Sequence, residues 1–505
     1  MRIHLCMALI GLLVSIFYLA SCTPLLPGKS ADNLAAYRLE MLPAAKDQVE
    51  QVGPVPRYDV RLVVDPDRLT ISGTESVLFT NTYAEALGEL YFRLYPNLPA
   101  YSGDLRLTKA RVGAQEVTPT YEANRSAVRI PLPLELPPGR QIQVDLAFTV
   151  RVNHYDEGRV LMGESKGILS LPNCYPMLAV RENGAWKLSI GPEFADAAFS
   201  ETALYQVSID VPTDMVVVSS GVVQDVTEPA ENAPKGRHIL HCVTGPVREF
   251  GLIMSRFYQK QSLKTGEIEV NSYYLPQDAA GGYSALWRAA AALRVYSDAF
   301  GDYPYTKFDV AEAPLLKHGM EYPTLIFVGT DVYGTERQKM EVLVAHETAH
   351  QWWYNLVGSD PVNNPAVDEA LAEYSLMTYY ETLYGKKRAE AEVTTRWQEP
   401  YDYAKKQGWD APVEQPASGF TKDNYEPIVY AKGSLLYDQL RQAIGRDAFN
   451  AAVRHYLQTY MYRIAPPGAL VGIASSTSSR DLESLAQKWK DTGQPTPTPT
   501  PGDQQ

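Results

Sequence analysis

The sequence predicts a multidomain α+β protein, with an N-terminal antiparallel β domain followed by an α+β domain. Two patterns carry this prediction. From about Arg57 to Phe257, short runs of alternating apolar and polar residues recur between turn residues, the signature of half-buried strands. From about Tyr258 the spacing changes, and longer stretches with helical periodicity alternate with a few strand-like runs. Composition agrees: 505 residues, 45% hydrophobic and 21% charged, give room for at least two cores, and 33 Tyr with 36 Pro suit strands, turns and loops. Net charge is −13 without a Lys/Arg block, which argues against binding nucleic acid through its phosphates.

The chain begins with Arg2 and His4, then an apolar run from Ala8 to Leu19, then Leu19-Ala20-Ser21-Cys22. The run is short for a membrane span and has the layout of a cleaved signal peptide. Leu-Ala-Ser-Cys resembles the bacterial lipobox, in which cleavage precedes the Cys and the Cys is lipidated. That resemblance implies a signal peptide over 1–21, a lipid anchor on Cys22, and an extracytoplasmic protein tethered to a bacterial membrane; several acyl chains suffice for stable anchoring. Residues 22–54, with five prolines between Pro24 and Pro56, read as the lipidated N-terminus and a tether, with a short helix possible over 31–51.

The β domain is expected over 55–257. Its runs include Tyr58–Val64, Leu69–Asn81, Ala127–Pro131, Ile142–Val152, Thr202–Val211, Met215–Val223 and His238–Val243. His238, His241 and Cys242 fall on one such strand, where residues i and i+3 face opposite sides, so they read as ordinary strand residues. Cys174 and Cys242 remain after signal cleavage and read as two buried thiols, although an oxidising compartment permits a bridge.

The second domain is expected over 258–492. An Ala-rich helix covers Tyr283–Phe300 and stops at Gly301; strands follow at Phe308–Glu312 and within Met320–Val328. Thr335-Glu-Arg-Gln338 has the form of a capping box opening a helix to about Val357, with Gly358 as its stop. Asn364-Pro365 suits the start of the next helix, to Gly385. Further helices are expected near 386–406, 429–444, 446–460 and 480–491, and 493–505 is a Pro/Thr-rich tail expected to be disordered.

The chemistry is concentrated in Val344-Ala-His346-Glu347-Thr-Ala-His350-Gln-Trp-Trp353. On a helix, His346 and His350 at i and i+4 share a face and can hold one Zn²⁺, with Glu347 within reach of an attacking water. A catalytic zinc takes three protein ligands and keeps a fourth position open. The third ligand is sought in Val367-Asp368-Glu369-Ala-Leu-Ala-Glu373-Tyr374, on a helix that can fold back beside the first. Glu369, Asp368 and Glu373 are the candidates; Glu373 also suits a hydrogen bond to a ligand histidine.

H-E-x-x-H followed at this distance by D-E-x-x-A-E-Y resembles the aminopeptidase N and leukotriene-hydrolase family of gluzincins. Two more motifs agree. His318-Gly319-Met320-Glu321-Tyr322 resembles the family's Gly-x-Met-Glu-Asn strand, and Tyr430-Ala-Lys-Gly433 its Tyr-x-Lys-Gly segment. The resemblance spans about 55–492 and implies a β-rich domain before a thermolysin-like zinc metallopeptidase domain, in a lipoprotein member without the C-terminal helical domain of larger relatives. It implies one zinc on His346, His350 and Glu369, Glu347 as general base toward a metal-activated water, and Tyr430 as hydrogen-bond donor to the oxyanion. It implies Glu321 as the carboxylate that binds a peptide's free α-amino group, with Gly319 and Met320 bordering the substrate. His318 and Tyr322 depart from the family pattern, in places that bear on backbone contacts to substrate and on the orientation of Glu321.

The function expected is a zinc aminopeptidase acting on peptides with a free N-terminus. A zinc endopeptidase, an epoxide hydrolase, or a surface-binding lipoprotein with a relict site are the alternatives. Blocked peptides separate the first from the exopeptidase, and metal analysis tests the last.

Overall fold

The computed structural model describes residues 34–229 and 234–490. Alternation along the early strands builds an eight-stranded sheet in the order Val222–Thr227, Arg237–Val243, Leu204–Pro212, Arg57–Asp65, Thr70–Thr80, Gln141–Arg151, Asp104–Val112 and Gln115–Glu116. Tyr58, Val60, Leu62 and Val64 point inward while their neighbours face solvent, as a period of two requires. The sheet is antiparallel except where Arg57–Asp65 runs parallel to Leu204–Pro212. Two further sheets have four strands each. Cys174 and Cys242 are both buried, free thiols.

A five-stranded mixed sheet begins the second half: Gln259–Thr265, Ile268–Tyr274, Lys307–Ala313, Leu325–Gly329 and, on the edge, Gly319–Met320. Helix α1 (Ala279–Phe300) packs on this sheet and on α2 (Met340–Ala349). Helix α3 (Glu369–Tyr384) packs on α2, and α4 (Gly433–Ile444) on α3. The described residues from Ala35 onward form one compact unit, so the β-rich part and the α+β part share a continuous packed junction. No helix among the described residues is long and apolar enough to cross a membrane.

Several boundaries differ from the sequence reading. Thr335 does not cap α2; a 3₁₀ turn at Arg337–Lys339 comes first, and the helix starts at Met340. It also ends at Ala349 rather than near Val357. The adjacent Trp352 and Trp353 are both buried, but against different neighbours: Trp352 Nε1 donates to Gly301 O, Trp353 Nε1 to Ser375 Oγ. The chain meets both demands in a wide turn, with Asn355 N on His350 O and Leu356 N on Gln351 O. Helix α3 starts at Glu369, not at Asn364-Pro365, because the Asp368 carboxylate caps it by accepting from Glu369 N. A helix at Ala469–Ser478 had no counterpart in the sequence reading.

The tether reading of 22–54 needs correction over 35–52. Those residues form short helical turns docked on the junction. Tyr37, Met41, Ala45 and Val49 are buried at a spacing of four, an apolar stripe that the prolines around it had obscured. Leu42 N donates to Pro304 O, Thr306 N to Glu40 O, and Gly245 N to Glu40 Oε2. The signal segment 1–21, Cys22 and the 493–505 tail lie outside the described residues.

Candidate metal and substrate site

The last turns of α2 carry His346, Glu347 and His350, and the first turn of α3 lies beside them. His346 Nε2 and His350 Nε2 are 3.1 Å apart, and Glu369 Oε2 is 3.2 Å from the first and 3.3 Å from the second. Ligand atoms ~2.0–2.1 Å from a tetrahedral zinc stand about 3.3–3.4 Å from one another, so this triangle has the size of one face of such a site.

Proton positions sharpen the fit. His346 Nδ1 faces Glu373 Oε2 at 3.2 Å, and His350 Nδ1 faces the Trp353 carbonyl at 2.8 Å. Both partners accept only, so each Nδ1 donates to its partner and each Nε2 is turned toward Glu369, where it can offer a lone pair to a metal. Two lone pairs and a carboxylate oxygen, all buried and in mutual contact, make a donor set that a divalent cation satisfies. Of the three acidic candidates, Glu369 is the one whose carboxylate completes this triangle. Asp368 is taken up as the α3 cap, with Ser359 Oγ donating to its Oδ2 at 2.6 Å. Glu373 stands behind His346. Burial alone would raise Glu373, but Arg396 and His346 hold it down at about 2, and Trp397 Nε1 also donates to it.

Glu347 and Glu321 lie close together: one oxygen from each and a nitrogen of His350 fall within 4.8 Å of one another. Glu321 is buried, and burial followed by the charge of Asp196 pushes its carboxyl well above the usual range. Gly319 makes room for Glu347. A Cβ there would meet Glu347 Oε1 at 2.2 Å, so the missing side chain is the space that Glu347 occupies. Met320 and Glu321 line a cavity together with Asp196.

Tyr430 sits in a π-helical stretch, Glu426–Lys432, that leads into α4. Its hydroxyl donates to Glu369 Oε1 at 2.7 Å, and its ring lies 5.8 Å from that of His346. Burial and the Glu369 carboxylate raise its pKa, so the phenol keeps its proton.

The two departures differ in place: His318 lies on the surface, whereas Tyr322 lines the cavity with Glu321 and Asp196. His318 is exposed and contributes its carbonyl to Gly329 N. Tyr322 is buried with its ring 4.7 Å from that of Phe327. The strand end is fixed instead by Gln351, whose Nε2 donates to Tyr322 O at 3.1 Å and whose Oε1 accepts from Thr324 N at 2.8 Å.

Sequence reasoning missed Gln351, although it directly follows His350. It also missed Asp196, on a loop of the β-rich part that carries no periodic signal. Burial and the Glu369 charge raise the Asp196 carboxyl, which lies by both Glu369 and Glu321.

A helix pair presenting two histidines and a glutamate, with a second glutamate directly after the edge strand Gly319–Met320, is the arrangement expected of a gluzincin site. Residues 285–489 match the family model described as the peptidase family M1 domain. The matched span includes His346, Glu347, His350, Glu369 and Tyr430. Human endoplasmic reticulum aminopeptidase 1 is 25% identical over 274 residues, which are 48% of this chain and 28% of that protein. The alanine/arginine aminopeptidase of Saccharomyces cerevisiae is 27% identical over 237 residues, 44% of this chain and 27% of that protein. The chain thus spans under a third of the length of these two curated relatives. The fold is shared with an M1 zinc metallopeptidase from Deinococcus radiodurans, with a TM-score of 0.68 at 21% identity, covering 88% of this chain and 96% of that one. A variant of that protein bound to a Tyr-Ser-Ala substrate gives a TM-score of 0.65 at 20% identity with the same coverage.

Proposed function

We propose that this chain is a zinc-dependent aminopeptidase that removes the N-terminal residue from peptides. The observation that carries the reading is the pairing of one complete donor triangle, His346, His350 and Glu369, with two further carboxylates, Glu321 and Asp196, beside it. Zinc, when bound there, lowers the pKa of a water toward ~7 and polarises the scissile carbonyl. The rest of the chemistry falls to the chain's own groups. Glu347 accepts the proton of the attacking water and passes it to the leaving amine. Tyr430, kept protonated, donates a hydrogen bond to the developing oxyanion. Glu321 and Asp196 hold the substrate's ammonium group, and that grip sets the scissile bond one residue from the N-terminus. Gly319 and Met320 border the substrate.

The same carboxylates favour an aminopeptidase over an endopeptidase or an epoxide hydrolase, since neither of those needs a buried anionic pocket for an ammonium group. A relict site would not be expected to keep the ligands, the base and their supporting hydrogen bonds together. Cys22 as a lipid anchor, and with it an extracytoplasmic place on a bacterial membrane, rests on the lipobox-like sequence and belongs to this proposal.

The test uses purified protein on aminoacyl-arylamides and their N-acetylated counterparts. The free-amine substrates should be cleaved at least ~100-fold faster, and Glu321→Gln should lower kcat/KM on them while zinc content stays at one per chain. Equal rates on blocked and free substrates would sink the amine-recognition reading.

A further inference from the structure

The turn after α2 is held from outside by two consecutive residues of the β-rich part. Arg248 is fully buried, and its guanidinium donates to three main-chain carbonyls: Nε to Tyr354 O at 2.5 Å, Nη1 to Ser200 O at 3.1 Å and Nη2 to Arg463 O at 2.7 Å. Its neighbour Glu249, also buried, accepts from the Tyr354 hydroxyl. Tyr354 is therefore gripped at both ends, main chain and phenol. It needs the grip: its φ is 151°, a conformation that residues with a side chain rarely adopt. Gly358 makes room for the clamp, because a Cβ there would lie 2.1 Å from Arg248 Cζ.

What Tyr354 fixes is the peptide unit before it. The Trp353 carbonyl and the Tyr354 nitrogen share one rigid plane, so holding Tyr354 sets the direction of that carbonyl. The Trp353 carbonyl is the group that accepts from His350 Nδ1 at 2.8 Å and turns Nε2 toward Glu369.

We propose that Arg248 and Glu249 are positioning residues for the metal ligand His350, acting through Tyr354 and the Trp353 carbonyl. The β-rich part then does more than flank the substrate. It supplies the outer support of one ligand, and the site reaches full metal affinity only when the two parts of the chain are docked. The inference rests on the zinc reading of the site and extends it to residues outside the donor triangle; Glu249 and Tyr354 also line the cavity of Met320, Glu321 and Asp196. Residues of this kind change metal affinity by about 10- to 100-fold when altered.

The full chain is compared as native protein, Tyr354→Phe, Arg248→Lys and a control, Tyr258→Phe. The control also loses a buried Tyr hydroxyl bond, to Glu312 O, away from α2. Three properties are read: the zinc Kd by competition with a chromophoric chelator, the visible spectrum of the Co²⁺-substituted protein, and the Tm of the zinc-free protein. Tyr354→Phe and Arg248→Lys should raise the zinc Kd by about 10-fold or more and shift the Co²⁺ bands. Tyr258→Phe should lower the Tm and leave both metal readouts at native values. A native Kd and spectrum in Tyr354→Phe overturns the proposal even if Arg248→Lys fails to fold. Native protein that binds no zinc overturns the reading of the site itself, and this inference with it; native zinc binding with unaltered variants overturns the inference alone.

Discussion

His346 and His350 stand one helical turn apart and point the same nitrogen at the same place, yet they are supported by opposite kinds of partner. Behind His346 is an anion: Glu373, itself gripped by Arg396 Nε at 2.9 Å and Trp397 Nε1 at 2.9 Å. Behind His350 is a neutral carbonyl, that of Trp353. A carboxylate orients an imidazole and also raises its basicity; a carbonyl chiefly orients it. The difference follows from position. His346 lies inside α2, and its Nδ1 partner comes from another helix, α3. His350 is the residue at which α2 stops, so carbonyls of the following turn are free to receive it. Ending the helix there thus creates an acceptor for the second ligand, and the strained turn at Tyr354 goes with it.

Three changes break or sharpen this contrast. The largest effect should come from a change that leaves both supports in place. Glu347→Gln should lower kcat by ~10²- to 10⁴-fold while metal analysis still finds zinc, because it removes the proton acceptor and no ligand. A fully active Glu347→Gln enzyme would show that Glu347 is not the proton acceptor. Next is Glu373→Gln, which makes the partner of His346 neutral, like that of His350. The zinc Kd, measured by chelator competition, should rise by about 10- to 100-fold. Unchanged affinity would mean that the anion adds nothing a neutral acceptor does not, and the contrast would be one of appearance only. The smallest is Gly319→Ala. Its Cβ would fall 2.2 Å from Glu347 Oε1 and so displace the base without touching either histidine. In steady-state assays kcat should fall by roughly 10-fold with the zinc Kd unchanged, since catalysis responds steeply to small misplacements. A loss of zinc instead would place Gly319 among the supports of the metal.

The donor set was legible in the sequence because it is local. Two histidines at helical spacing share a face whatever surrounds them, and a glutamate at the start of a helix folded back beside them comes within reach. The choice among Asp368, Glu369 and Glu373 was open to residue-level reasoning, since all three lie within about one turn. The structure gives them three different surroundings: Asp368 caps α3, Glu369 faces both Nε2 atoms, and Glu373 faces His346 Nδ1. The alternation of the early strands was equally plain, because a sheet with one buried face imposes a period of two on its sequence. The docking of 35–52 was not seen. Its apolar stripe is short, and only the surface around Tyr305 and Gly245 makes it worth burying.

Sequence by itself determined the spacing that puts His346 and His350 on one face with Glu347 between them, the order of a β-rich part before an α+β part, and the place of Tyr430 downstream. These are properties of spacing along the chain, and helix and strand geometry translate spacing directly into direction. Tertiary structure alone decided what stands behind each ligand. Asp196 reaches Glu321 and Glu369 from a loop far upstream, and Arg248 and Glu249 meet Tyr354 across the junction. Such partners carry no local period, because their positions are set by packing between elements distant in sequence. The helix stop at His350 belongs with them. No breaker follows that residue; the separate burial of Trp352 and Trp353 ends the helix, and that demand exists only in the folded protein.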